Sequence, residues 1–254
     1  MGIKSHRFIF WLPGDHSHCW VLPGYVSVFP EIREENFKKI WNMKKSTVNG
    51  QWSIEKASEF NSQKQQTKHL AIFASGAGSN AQKIIEHFKN SALAKIDLIV
   101  CNKPGAGVLK IAAIENIQVL MIEKKSFTYS GYLEELKNHH IDFIILAGFL
   151  WKIPSVLINA YQGKIINIHP ALLPSYGGKG MYGNAVHAAV LTAKEKQSGI
   201  TIHYVDDKYD HGEIIFQKAC PVSDNETVES LAQKVHALEH NYYPGQIEKL
   251  LDKI

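Results

Sequence analysis

Paired cysteines, long apolar runs and basic stripes are what this sequence lacks. Its three cysteines, Cys19, Cys101 and Cys220, are scattered through 254 residues. Zinc sites need close-spaced ligands and disulfide frameworks need many cysteines, so neither is expected. His, Cys and acidic residues nowhere fall at metal-ligand spacing, and no metal is expected. Sparse, unpaired thiols suit a reduced, cytoplasmic protein. No apolar run approaches the roughly 18 residues that span a bilayer. Phe8–Trp11 is apolar but short, and Pro13-Gly14 turns the chain straight after it, which makes a poor signal peptide. The net charge of +4 is uneven: residues 1–67 hold nine Lys/Arg against six Asp/Glu, and residues 68–254 hold 19 against 18. A near-neutral remainder excludes a basic stripe for nucleic acid. It leaves room for a small phosphorylated substrate, which needs only local donors.

What is present divides at about residue 67. Before it stand four of the five tryptophans (Trp11, Trp20, Trp41, Trp52), two Pro-Gly turns and a polar, linker-like stretch at 60–67. Residues 30–41 suit one helix. No repeat and no motif is visible, and 1–67 reads as an accessory or partly disordered extension. From Lys68 to Ile254 apolar strands alternate with helices. Strands are expected at 69–75, 96–101, 119–122, 141–147, 164–169, 199–205 and 213–218. Helices are expected after 78, over 110–115, 132–139 and 156–161, up to 193, and from 227 to 254 with an interruption at Pro244-Gly245. That alternation predicts an α/β domain with a mostly parallel sheet covered on both faces.

Lys164–Pro174 draws attention first. Asn167 and His169 alternate with Ile166 and Ile168, so both leave the strand on one face, and Pro170 ends it. An amide donor beside a titratable donor at a strand's carboxyl end suits an oxyanion on a carbonyl. A histidine that satisfies a buried carbonyl is the plainer alternative. Asp206, Asp207 and Asp210 crowd a loop between two later strands, from which one carboxylate has the reach to steady His169, although Asp-x-Gly is also a common turn. Ser75-Gly76-Ala77-Gly78-Ser79-Asn80-Ala81 joins a strand to a helix with Gly-x-Gly-x-x-Ala spacing. A dinucleotide site needs an acid at the end of the second strand; Asp97 instead opens that strand, which closes on Cys101-Asn102-Lys103. A simple phosphate site at a helix N-terminus remains. The glycine-rich 177–183 is either a mobile lid or a surface connection.

Together these motifs resemble the glycinamide ribonucleotide formyltransferase family, over about residues 68–254. The resemblance rests on Ser75-Gly76-x-Gly78-Ser79-Asn80, Leu146-Ala147-Gly148-Phe149, Asn167-Ile168-His169-Pro170-x-Leu172-Leu173-Pro174, Asp210-x-Gly212-x-Ile214-Ile215 and His236-Ala237-Leu238-Glu239-His240-x-x-x-Pro244. It implies a seven-stranded, Rossmann-like fold and formyl transfer from 10-formyltetrahydrofolate to the amine of the ribonucleotide, in purine synthesis. Carried over residue by residue, Asn167, His169 and Asp210 are catalytic. Gly78, Ser79, Asn80 and Glu239 hold the ribonucleotide. Leu150, Trp151, Lys152 and Ile153, with Asp206, Asp207, Lys208 and Tyr209, embrace the folate. The implied partners are these small molecules, bound by a monomer or homodimer.

Two departures stand out. Where many members carry Pro-Gly and histidines after the signature, this chain has Gly177-Gly178-Lys179-Gly180-Met181-Tyr182. An arginine that many members place within the segment matching 126–132 is absent. Formyltetrahydrofolate deformylase is the nearest alternative, since its relatives carry a domain ahead of the catalytic one. Methionyl-tRNA formyltransferase fits less well, for want of a basic appended domain. A non-catalytic phosphometabolite-binding module would make Asn167, His169 and Asp210 a coincidence.

Overall fold

Short β-branched runs bounded by glycine and proline turns give this chain its strands, and the helices between them supply apolar cover. The computed structural model describes residues 66–127 and 131–253. Expectations for residues 1–65, the first Pro-Gly turns and the 30–41 helix among them, lie outside the described residues.

Seven strands form one sheet: β1 (Lys68–Ala74), β2 (Ala94–Cys101), β3 (Gln118–Met121), β4 (Phe143–Leu146), β5 (Ile165–His169), β6 (Gln197–Tyr204) and β7 (Ile214–Pro221). Their order is β3-β2-β1-β4-β5-β6-β7. The first five pair in parallel, and β6 and β7 extend the sheet antiparallel. The expected mostly parallel seven-stranded architecture is what the chain adopts. Among the described residues the helices are α1 (Ser79–Phe88), α2 (Gly107–Ile114), α3 (Lys124–Phe127), α4 (Gly131–Asn138), α5 (Ser155–Ala160), α6 (Asn184–Thr192) and α7 (Val228–Leu251).

Because side chains alternate along a strand, β1 feeds two cores. Leu70, Ile72 and Ala74 join one with Ile84 of α1, Val108 of α2 and Val235 and Ile247 of α7. Ala71 and Phe73 join the other with Phe127 of α3, Leu136 of α4 and Leu157 of α5. All five β1 residues are fully buried. On β5, Ile166 and Ile168 enter the first core, while Ile165, Asn167 and His169 share the second face. That face thus turns from apolar to polar toward the strand's carboxyl end.

The chain leaves β1 to build β2 and β3 on one side, then returns to build β4 and β5 on the other. Strand order reverses between β1 and β4, and ligands bind in the crevice at such a point. Two bonds tie the loops there: Ser75 N–H donates to the Gly148 carbonyl at 3.1 Å, and the Leu150 N–H donates to Ser75 Oγ at 3.1 Å.

Two differences from the sequence expectation have local causes. Helix α2 starts at Gly107, earlier than Lys110, because its first turn packs on the glycine loop: Val108 N–H donates to Gly76 O at 3.2 Å, and a Cβ on Gly107 would lie 2.6 Å from Ala77 O. Helix α7 runs through Pro244-Gly245 without a break. Burial of Tyr243, Pro244, Ile247 and Leu251, with Tyr243 Oη donating to Leu146 O at 3.0 Å, outweighs the missing proline donor. The short α3 was not expected.

Candidate active site

The site begins with strand pairing. β6 lies antiparallel to β5, with Asn167 opposite His203 and His169 opposite Thr201. Thr201 Oγ donates to Ala171 O at 2.7 Å and accepts from Leu173 N–H at 3.0 Å, and Gln217 Nε2 donates to Leu173 O at 2.9 Å. These bonds fold Ala171–Leu173 back over the strand end and fix where His169 sits.

Asp210 Oδ1 is the point of convergence. Asn167 Nδ2 approaches it at 3.4 Å, His169 Nδ1 at 3.5 Å and His203 Nε2 at 3.7 Å. Its other oxygen, Oδ2, accepts from the Gly178 N–H at 2.9 Å. Asp210 adopts φ 51°, a left-handed conformation that Asp and Asn tolerate better than most residues. Of the three aspartates in the loop, this one meets the imidazole. Asp206 accepts from Lys208 N–H at 2.8 Å and pairs with His211 at 2.7 Å, while Asp207 accepts from Ser155 Oγ at 2.6 Å.

Protonation states follow from partners. His203 Nδ1 lies 2.8 Å from Tyr204 O, and its Nε2 stands 3.1 Å from Asn167 Nδ2. His169 Nε2–H donates to Tyr176 O at 2.8 Å, which directs Nδ1 at Asp210. Burial is the largest influence on His169 and pushes its pKa below the usual range, although the Asp210 charge and the Tyr176 carbonyl oppose it. The resting ring is therefore neutral at pH 7, and Asp210 moderates the burial effect without overturning it. Burial raises Asp210, but His203, the charge on His169 and the Gly178 N–H together hold its carboxyl below the ordinary range. The loop at 177–183 is thus bonded to the site through Gly178. Tyr176, whose carbonyl holds His169, is itself left-handed at φ 57°.

The second corner lies at the start of α1. Gly78 caps that helix in a left-handed conformation, φ 87°, with no side chain capping it. Its first N–H groups are open, as an anion site needs. A Cβ on Gly78 would stand 2.8 Å from Val108, so glycine is required here by α2 packing as well as by φ. From α7, the buried Glu239 places Oε2 2.8 Å from Asn80 Nδ2 and 3.0 Å from His236 Nδ1. Asn80 and Glu239, expected to serve one substrate, do meet.

The residues expected around folate are brought together in part. The Ser155–Asp207 bond joins the segment after β4 to the loop after β6. Leu150 and Tyr209 expose 48% and 40% of their surface, enough to meet a ligand, and Lys152 and Lys208 are exposed. Trp151 is half-buried, its ring 5.8 Å from Phe127. Ile153 is 3% exposed and belongs to the core, so its side chain offers nothing to a ligand. Thr128, Tyr129 and Ser130, in the segment without its arginine, lie outside the described residues. Among the described residues no His/Cys/Asp/Glu group is arranged to hold a metal ion, and no helix is long and apolar enough to cross a membrane.

His203, the Tyr176 carbonyl and the Gly178 N–H escaped the sequence reading. His203 left a signal, since it alternates with Thr201 on one face of β6, but only the β5–β6 register puts it against Asn167.

A polar trio at the end of a buried parallel strand and a glycine-opened helix start are features that an enzyme of the acyl-transfer type needs. The formyl transferase family matches residues 68–247, and the chain belongs to that family. It is similar to phosphoribosylglycinamide formyltransferase of Bacillus subtilis, 41% identical over 190 residues that cover 72% of this chain and 95% of that protein. The chloroplastic enzyme of that name from Arabidopsis thaliana is 42% identical over 183 residues, 69% of this chain and 63% of that one. Among solved structures, glycinamide ribonucleotide transformylase 1 of Geobacillus kaustophilus matches with a TM-score of 0.67 and 39% identity, covering 73% of this chain and 99% of that chain.

Proposed function

We propose that the chain transfers the formyl group of 10-formyltetrahydrofolate to the amine of 5-phosphoribosylglycinamide, a step of purine biosynthesis. The observation that carries this reading is the convergence of Asn167, His169 and Asp210 at the end of β5, within a chain that belongs to the formyl transferase family. The domain at 68–254 is the catalytic part, and 1–67 is accessory.

The amine attacks the formyl carbon directly. A C–N bond forms to the substrate amine, the carbonyl electrons move onto oxygen, and the bond to the folate nitrogen then breaks. Asn167 and His169 donate to the developing oxyanion. The Asn167 contact to Asp210, 3.4 Å, is longer than a good hydrogen bond, so a charged acceptor readily competes for that donor, and His169 Nδ1, 3.5 Å from Asp210, becomes a second donor once it takes a proton. The attacking amine passes a proton to His169 Nδ1, which then hands it to the departing folate nitrogen. Asp210 stabilises the charged imidazole while that proton is held, which matters because burial opposes it. Gly78, Ser79 and Asn80 take the phosphate and Glu239 the ribose. The segments at 150–153 and 206–209 take the folate, with Ile153 contributing backbone alone.

Consumption of 10-formyltetrahydrofolate is the test. It should depend on added ribonucleotide and yield the formylated amine one for one. Equal consumption without the ribonucleotide would identify a hydrolase instead.

A further inference from the structure

We propose that Tyr176 and Glu195 are positioning residues for His169: the Tyr176 hydroxyl, anchored on Glu195, holds a left-handed residue whose carbonyl fixes which nitrogen of the imidazole faces the reaction. The inference rests on the reading of His169 as the proton carrier.

A neutral imidazole has one N–H and one lone pair, and a group that takes a proton from an amine must turn the lone pair toward it. At His169 a carbonyl makes that choice, because a carbonyl only accepts. Tyr176 O stands 2.8 Å from Nε2, so the hydrogen lies on Nε2 and the lone pair on Nδ1, the side of Asp210. An unusual backbone aims this carbonyl. Tyr176 has φ 57°, a region that residues with a side chain avoid, and such strain persists only where the surroundings over-determine it.

The surroundings grip Tyr176 from outside the site. Its half-buried side chain packs on the first core, and its hydroxyl donates to Glu195 Oε1 at 2.7 Å. Glu195 follows α6 and is itself fixed. Its N–H donates to Val190 O at 3.2 Å, and Lys194 before it turns the chain at φ 53°, with its N–H on Leu191 O at 3.0 Å. Toward the site the next two residues fit closely. A Cβ on Gly177 would stand 2.6 Å from Leu173 Cδ2 and 3.1 Å from Asp210 Cβ, and the Gly178 N–H donates to Asp210 Oδ2 at 2.9 Å. Three consecutive residues thus hold both members of the pair, with a carbonyl on the histidine and an N–H on the carboxylate. The Tyr176 side chain is the part of this turn that reaches away for support. Its bond to Glu195 keeps the phenol protonated above the ordinary tyrosine range, so the phenol does not titrate below pH 9.

The test measures kcat and both KM values in the full chain from pH 5.5 to pH 9. It compares wild type, Tyr176→Phe, Glu195→Ala, Glu195→Gln and the double variant of Tyr176→Phe with Glu195→Ala. One hydrogen bond supports an effect of about fivefold. Tyr176→Phe and Glu195→Ala should each lower kcat about fivefold and leave both KM values unchanged. The double variant should lose no more than either, because both changes remove one bond. Glu195→Gln keeps an acceptor and should keep the rate. The Tyr176 carbonyl raises the His169 pKa, so loosening it should also move the limb that reports protonated His169 to lower pH. Asp210, His203 and Glu239, which also act on His169, are the same in every variant. Glu195 is exposed, so its variants remove the bond without disturbing either core. A wild-type rate and limb in Tyr176→Phe overturn the proposal. A loss of kcat with the limb in place, or a loss confined to KM, marks a merely structural role and overturns it too. Additive losses in the double variant break the link between the two residues. His169→Gln separates the layers of inference. If it keeps the wild-type kcat and limb, His169 is not the proton carrier and the reading of the site fails. If it loses them while Tyr176→Phe does not, only the anchoring is wrongly assigned.

Discussion

The two corners of the site are built on opposite plans. Around Asp210, each side chain already holds a partner: Asn167 meets His203 and Asp210, His169 meets Tyr176, and Asp210 meets Gly178. Around Glu239, Asn80 Oδ1, His187 Nδ1 and His240 Nε2 are buried without one. Buried polar groups in folded proteins are nearly always satisfied, so these three atoms have bonding capacity left for water or a ligand. The difference separates chemistry from binding. Donors that stabilise a transition state work best when they are oriented before the substrate arrives. Groups that grip a sugar phosphate lose little by meeting it only on binding.

That contrast breaks most visibly at Asn167. Asn167→Ala removes a preorganised donor and should lower kcat about 10²–10³-fold, roughly 3–4 kcal/mol, with little change in either KM. Single-turnover kinetics would check it, and a loss confined to KM would move Asn167 to the binding corner. Glu239→Gln should do the reverse. It keeps the shape and removes the charge that Asn80 and His236 share, so ribonucleotide KM should rise about tenfold while folate KM stays put. Steady-state titration of each substrate distinguishes the two. The smallest effect is expected from deletion. A chain beginning near Gln66 retains every strand of the sheet and both cores, and about 188 residues suffice for a stable domain. Turnover and thermal midpoint should stay close to those of the full chain; loss of folding would show that the tryptophans before residue 67 pack against the domain.

The strand alternation made the architecture legible, because parallel strands buried on both faces must be apolar runs between helices. Asn167 and His169 were legible for the same reason, as polar residues on one face of an otherwise apolar strand. What escaped depends on contacts across the chain. Nothing local announces that Tyr176 turns its carbonyl toward His169, or that α7 runs through Pro244 because Tyr243 and Ile247 are anchored below it. The residues alone left Asp206, Asp207 and Asp210 open and the resemblance chose Asp210; the loop's path shows the physical reason, since it gives the first two to His211 and Ser155. That the Ile153 side chain is buried in the core was not legible either, because its place in the motif says nothing about burial.

The pH profile of kcat in Asp210→Asn tests the central claim most directly. Asparagine keeps the left-handed φ and the shape at this position while removing the charge, so the fold should survive. Asp210 raises the His169 pKa against burial, and without it burial acts alone. The limb of the profile that reports protonated His169 should therefore move to lower pH, and kcat at pH 7 should fall. A profile and rate unchanged from wild type would reduce Asp210 to a turn residue and take the charge out of the mechanism.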